Sequence, residues 1–441
     1  MSVALDYNIP FTTFHNVINN ELTDTPTMRH TICPSTEEPL WNVPVSTQED
    51  VDRAVSAAKA AFPGWSKLSQ DERADYLNKF ADAIEANKEE FIELLGKEVG
   101  KPPQAGSFEL SLVMGLARET PKLRLKEEKV IDDADRTAIV RYVPLGVGVG
   151  IVPWNFPLTL GVGKLFPALL AGNTFIWKPS PYSPYSALKL AELGTSFTGS
   201  VATGKKVMVT CASTLKRVTL ELGGNDAAII CNDVDIDAVV AKICMNIKRI
   251  YVHESIYDEF LAAMIAVTKQ FKTGDHTDPE AFFGPIQNSM QYGKLQEFYS
   301  QIGKEGWKTA LGGEPRQKEG KGFYMPPTII DNPPENSSIV VDEPFGPIIP
   351  ILKWTEEEDV IKRANASNLG LGASVWSKDV PRAQRMAEQL QAGSIWVNTH
   401  FELAPNVPFG GHKQSGLGMD WGELGLQGWC NPQAYWVKYS G

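Results

Sequence analysis

The sequence predicts an α/β chain whose centre is a parallel, doubly wound sheet. From residue 143 onward, strand, turn and helix patterns alternate, which is how successive βαβ units read. The 441 residues exceed what one compact core supports, so two or more domains are expected. A helical stretch precedes the alternation and a short aromatic strand closes the chain.

Residues 47–100 read as helices. TQEDVDRAVSAAKAAFPGW opens with Thr47 as N-cap and acids in the first turn, then sets Val51, Ala54, Val55 and Ala58 at helical spacing. SQDERADYLNKFADAIEANKEEFIELLGKEVGK repeats the pattern and stops at Gly100. Residues 126–144 hold two extended runs, KVI and TAIVRYV, joined by an acidic turn. VGVGIVPWNFP is a buried strand entering a Pro/Asn turn, LTLGVGKLFPALLAG a helix with a glycine stop, and NTFIWKPSP a second strand. SPYSALKLAELG is a second helix with Pro184 near its first turn. SFTGS is a third strand end and VATGKKVMVTCAST another helix. Runs such as IKRIYVH, IYDEFLAAMIAVTKQF and GASVWS fill residues 226–400. NPQAYWVKYSG is a terminal strand with no hairpin partner beside it, a feature of strands that pair with another subunit.

Composition narrows the function. A formal net charge of -11, with scattered Lys and Arg, argues against nucleic acid or an anionic membrane as partner. The first residues lack a basic segment followed by an apolar core, so no secretory signal is expected, and no apolar run approaches the roughly 20 residues of a membrane span. Five widely spaced cysteines without a CxxC pair suit reduced thiols in a cytoplasmic compartment. Six scattered histidines form no HExxH, and no metal site is expected.

Several stretches carry groups capable of chemistry, each with a plain structural alternative. In RVTLELGGND, Glu221 sits at a strand end, where an α/β sheet opens to a cleft; it equally suits a surface acid before a Gly-Gly turn. In DEPFGPIIP, prolines and glycine stiffen the loop around Glu343, which holds a carboxylate in place or merely makes a rigid turn. Asn155, after a buried strand, offers an amide N–H to an oxyanion or caps an Asx-type turn. Lys178 ends the next strand, as a ligand or as a solvated lysine. Gly199 and Ser200 precede a helix, as an anion site or a cap. Cys244, in AKICMNIKR, is a nucleophile or a small buried hydrophobe; Lys242, Lys248 and Arg249 beside it would favour thiolate or point to solvent.

Taken in order, IVPWNFP, WKPS, FTGS, LELGGN, a cysteine before IKRIYVH, EPFGP and PFGGHKQSGLG resemble the motif series of the NAD(P)-dependent aldehyde dehydrogenases, from about Ile32 to the final strand. The resemblance implies a Rossmann-like cofactor domain (1–125 and 145–221), an α/β catalytic domain (222–424) and a small β oligomerisation flap (126–144 and 425–441), hence a homo-oligomer. It implies oxidation of an aldehyde to a carboxylic acid: Cys244 attacks the carbonyl, the Asn155 amide and the Cys244 N–H meet the alkoxide, NAD(P)+ accepts hydride, and Glu221 activates the water that hydrolyses the thioester. Ile151, Val152, Pro153 and Trp154 would line the cofactor, Lys178 would bind the adenosine ribose, Gly199 and Ser200 the pyrophosphate, and Glu343 the nicotinamide ribose, with Phe345 beside the ring. Many NAD-preferring members carry an acid three residues after the lysine. Here Pro181 stands there, so the reading is NAD with NADP admitted. Trp154, Trp396 and Phe401, near the substrate tunnel the resemblance implies, suggest a hydrophobic or aromatic aldehyde; core packing accounts for these aromatics equally well.

The sequence departs from the family at two joins. Only Gly194, Thr195 and Ser196 separate the helix ending near Leu193 from FTGS, where the family places a further strand, turn and helix. DVDIDAVVAKI runs straight into Cys244 without the Asn-x-Gly-Gln-type loop that presents the thiol. These joins give the competing reading: a catalytically impaired relative acting as a binding or oligomer partner. An acylating, CoA-dependent member is a third, which Glu221 argues against.

Overall fold

A computed structural model describes residues 9–193, 208, 211–212, 215–243, 247–314 and 321–439. Helices α1 (Gln48–Trp65), α2 (Gln70–Ala86), α3 (Lys88–Val99) and α4 (Pro103–Glu119) occupy the stretch read as helical and extend past it. Thr47 caps α1 as its sequence predicts, in a reciprocal box with Asp50; Ser69 and Glu72 do the same for α2. Gly100 ends α3 at φ 82°, a left-handed position that glycine adopts without a Cβ clash.

Strands β1 (Glu128–Asp132) and β2 (Arg136–Pro144) lead into β3 (Val147–Ile151), helix α5 (Pro157–Leu170), β4 (Thr174–Lys178) and α6 (Tyr185–Leu193). Strands β3 and β4 pair in parallel from Val147 with Thr174 to Ile151 with Lys178, so both carboxyl ends emerge side by side. Val149 is 55% exposed, so β3 is less enclosed than its sequence suggests. Among the described residues this sheet has two strands; the SFTGS strand and most of the helix after it lie outside them. Helices α2 to α5 supply most of the core around it, with Leu77, Phe91, Val113, Leu158 and Phe166 almost wholly buried.

The broad parallel sheet lies later in the chain. Its strands are β6 (Ala227–Ile230), β7 (Arg249–His253), β8 (Thr309–Leu311), β9 (Thr328–Asp331), β10 (Ile348–Trp354), β11 (Gly372–Trp376) and β12 (Ser394–Val397). They lie in the order β8-β9-β10-β7-β6-β11-β12, with β8 alone antiparallel to its neighbour. Both faces are covered: Ile229, Tyr251 and Val375 point into one cluster, while Ala228, Ile230, Ile250 and Val252 point into another. Burial on both faces explains runs such as AAII and RIYV, which do not alternate with polar residues.

The terminal strand, β14 (Cys430–Lys438), pairs antiparallel with β2 of the same chain along nine residues, and β2 pairs with β1. Along one edge its partner is thus within the chain, almost 300 residues earlier, in the stretch grouped with it as one flap. The local sequence alone does not show this pairing, because hydrogen-bonding strand edges need not be neighbours in sequence.

Candidate active site

Val152 N–H donates to Lys178 O at 3.1 Å, tying the ends of β3 and β4 together. Beyond Ile151 the chain turns through Val152, Pro153, Trp154 and Asn155 before α5 begins. Asn155 lines a cavity of about 480 Å³. Its Oδ1 is buried and takes no hydrogen bond from the described residues. A half-turn of the amide would present N–H₂ there instead, so one end of the group is uncommitted.

Glu221 ends a two-residue strand, β5 (Leu220–Glu221), held against β13 (Gly416–Leu417) through its pairing with Gly416. Glu221 lines the same cavity. Burial pushes its pKa up to about 7; Lys164 opposes the shift and Asp420 adds to it. Lys164 Nζ lies 3.8 Å from Glu221 Oε2 and forms a close ion pair with Asp420. Burial works against the Lys164 ammonium, but the two carboxylates outweigh it and hold its pKa above the ordinary lysine range. Gly163 makes room for this cluster: a Cβ there would lie 2.4 Å from Trp421 Nε1, the neighbour of Asp420.

Glu343 and Phe345 line the cavity from another loop. Gln291, in α9 (Ser289–Lys304; α7, Ile236–Val240, and α8, Tyr257–Thr268, precede it), donates its amide to Pro344 O and Phe345 O at 2.9 and 3.2 Å. This clamp holds Phe345 at φ 52°, a strained position for a non-glycine residue. The Trp154 ring meets Phe345 edge-on at 5.3 Å, and Lys248 Nζ stands 5.4 Å from the Phe345 centroid. Burial raises the Glu343 pKa to about 7, with Lys248 lowering it and Asp226 raising it.

Cys244, Gly199 and Ser200 lie outside the described residues. Ile243 and Ile247, which flank residues 244–246, both line the cavity. Of the basic neighbours expected to favour thiolate, Arg249 is committed to the backbone: its buried guanidinium donates to Asn225 O at 2.8 Å and Ala364 O at 3.1 Å. Lys242 is exposed, which leaves Lys248. Of the aromatics expected near substrate, Phe401 lines the cavity, whereas Trp154 packs on Phe345 and Trp396 donates Nε1–H to Glu402 O at 3.0 Å.

Lys164 and Asp420 were missed from sequence, though LTLGVGKLFPALL carried a signal: one lysine in an otherwise apolar helix needs a buried partner. Asp226 and Lys248 gave no such signal, because their proximity to Glu343 arises only when separate strands meet. Among the described residues no group of three or more His, Cys, Asp or Glu side chains is placed to hold a metal ion, and no helix is long and apolar enough to cross a membrane.

The model of the aldehyde dehydrogenase family matches residues 22–195 and 193–435. Aldehyde dehydrogenase LUC3 of a Fusarium species is 37% identical over 468 aligned positions, covering 97% of this chain and 99% of its own. Rabbit (Oryctolagus cuniculus) aldehyde dehydrogenase 1A1 is 33% identical over 96% of this chain and 95% of its own. The NAD+ complex of an aldehyde dehydrogenase from Bacillus cereus superposes with a TM-score of 0.92 at 30% identity, covering 97% of both chains. An alignment of 468 positions is longer than the 441-residue chain, so the Fusarium relative has positions with no counterpart here. The reading as a binding or oligomer partner gains no support from these relatives.

Proposed function

The chain belongs to the aldehyde dehydrogenase family, whose enzymes oxidise aldehydes with NAD(P)+, and we propose that it does so with Cys244 as nucleophile, Asn155 as oxyanion donor and Glu221 as base. The observation that carries this reading is the one cavity shared by Asn155, Glu221, Glu343, Phe345 and the residues flanking 244–246. On this reading residues 1–125 and 145–221 bind the dinucleotide, 222–424 carry the nucleophile, and 126–144 with 425–441 form the oligomerisation flap.

The Cys244 thiolate attacks the aldehyde carbon; a C–S bond forms and the carbonyl electron pair moves onto oxygen. The Asn155 N–H₂ and the Cys244 backbone N–H meet that alkoxide. Bound NAD(P)+ supplies the two-electron acceptor that converts the adduct into a thioester. Glu221 takes a proton from water as the water adds to the thioester, the carboxylic acid departs, and the Cys244 thiolate is restored.

Two observations fit a dinucleotide. Lys178 Nζ donates to Pro179 O at 2.9 Å and, among the described residues, pairs with no carboxylate, so it has donors left for ribose or phosphate oxygens. Glu343 accepts a backbone N–H from Gly224 and keeps acceptor positions for a ribose diol. Ile151, Val152, Pro153 and Trp154 would flank the cofactor, and Gly199 and Ser200 would meet its pyrophosphate. Burial and then the Arg29 guanidinium push the Lys178 pKa below the ordinary lysine range. Pro181 in place of an acid places no negative charge at that position against a 2′-phosphate. NAD is the cofactor proposed, with NADP+ admitted. Titration with either dinucleotide should quench tryptophan fluorescence saturably through Trp154. A folded protein that binds neither would end the proposal.

The apolar lining, with Leu112, Phe156, Leu160, Phe401 and Leu403, supports a hydrophobic or aromatic aldehyde. The exposed rings of Tyr435 and Trp436 on β14 support a homo-oligomer, which sedimentation would test. Free thiols at Cys33, Cys231 and Cys430 suit a reducing, cytoplasmic compartment.

Lys164 gives this reading a signed pH test. A base works deprotonated, so turnover limited by thioester hydrolysis should rise with pH through about 7. Lys164→Met removes the cation that opposes the burial of Glu221. The rising limb should move up by about 1–3 pH units. An unmoved limb in a folded variant would separate Glu221 from the step that limits turnover.

A further inference from the structure

The start of α5 carries no side-chain cap of its own: Phe156 holds the N-cap position and Pro157 follows. Its first free amides are satisfied from elsewhere. Leu158 N–H and Thr159 N–H donate to Glu109 Oε1 at 2.9 and 3.2 Å, and Thr159 Oγ1 donates to the Glu109 carbonyl at 3.3 Å. Glu109 lies on α4 with its side chain 0% exposed, and its Oε2 pairs with the Lys101 ammonium. That ammonium stands 3.7 Å from the centroid of the Phe156 ring. The residue after Asn155 is therefore held at its ring by Lys101, and the next two free amides are held by Glu109.

A buried ion pair is an expensive way to cap a helix. Desolvation offsets much of its attraction, whereas Ser, Thr or Asp at the N-cap position would do the same locally. What the remote cap adds is rigidity against α4, whose Leu112 lines the cavity together with Asn155, Phe156, Thr159 and Leu160.

We propose that Glu109, held by Lys101, is a positioning residue: it fixes the first turn of α5 and thereby aims the Asn155 amide at the reacting oxygen. The inference rests on the reading of Asn155 as oxyanion donor. Glu109 itself touches no substrate. Glu98 provides an internal comparison on a different helix: it accepts Tyr185 N–H and Ser186 N–H at 2.9 and 3.1 Å at the start of α6, and it shares only its electrostatic field with Glu109 and Lys101.

The test needs no dinucleotide. An activated ester such as p-nitrophenyl acetate acylates the thiol through a tetrahedral oxyanion: the Cys244 S–C bond forms, p-nitrophenolate leaves, and water hydrolyses the acetyl thioester with Glu221 taking its proton. Glu109→Gln keeps the volume and one acceptor oxygen. It should lower the acylation rate about tenfold. The same substitution placed in Asn155→Ala should cause no further loss, because the group it aims is gone. Glu98→Gln should cost thermal stability without slowing acylation. Lys101→Met runs the same cycle if Glu109→Gln does not fold. Equal losses with and without Asn155, or full activity in Glu109→Gln, would overturn the proposal. Full activity in Asn155→Ala would instead sink the oxyanion reading, and the positioning role with it.

Discussion

Replacing Cys244 by alanine should abolish aldehyde-dependent NAD(P)H formation and leave dinucleotide binding intact. The loss should be at least about 10⁴-fold, because every later step acts on a bond to that sulfur. Cys231 and Cys430 are poorly placed to substitute. Burial pushes the Cys231 thiol up to about 11 and the Cys430 thiol up to about 12, so neither is appreciably thiolate at neutral pH. Both are buried, Cys231 beside Met386 and Cys430 over Leu426 O. The check is NAD(P)H absorbance together with tryptophan quenching by the dinucleotide. Retained turnover in the folded variant would show that the nucleophile lies elsewhere, and the motif match at CMNIKRIYVH would then carry no chemistry.

Glu221→Gln should separate the two halves of the reaction. Acylation does not need the base, so a rapid burst of about one NAD(P)H per subunit should persist. Steady turnover should fall by about 10²- to 10⁴-fold, the usual worth of a positioned general base. The rising pH limb near 7 should vanish from what remains, since the group assigned to it is gone. Rapid-mixing absorbance measures both phases. Loss of burst and turnover together, in a folded protein, would mean that Glu221 acts before the thioester forms. An unaffected steady rate would assign water activation to another group; Glu343 is one alternative on the same cavity, its pKa also raised to about 7.

Much of the candidate site was legible because its residues sit at strand ends and in stiff turns with strong local signatures. PWNFP after a β-run, LELGG and EPFGP each mark a position, and their order as a series, through its resemblance to a known family, assigned the roles. Cys244 was assigned by the MNIKRIYVH run on its C-terminal side, since the loop before it is shortened. The Lys164–Asp420 pair was not legible in that way: it joins a buried helix to a loop 256 residues later, and only packing brings them within reach. The same holds for Lys248 on the Phe345 ring, and for Glu109 capping a helix it does not belong to.

By itself the sequence determined the α/β class, the family, the helices of residues 48–99 and the identities of the candidate nucleophile, base and amide. The class and the helices depend on spacing and residue type within short windows; the family and the site identities rest on the order of motifs along the whole chain and its resemblance to a known series. Only the tertiary structure decided which charges share a buried space, and so that burial pushes the pKa of Glu221 and Glu343 up to about 7. It also decided that the final strand pairs within the chain and that Arg249 serves backbone carbonyls. The physical reason is common to all of these. Electrostatic coupling and strand pairing depend on distance through space, and burial magnifies the coupling by removing water. No local pattern in the chain encodes that distance.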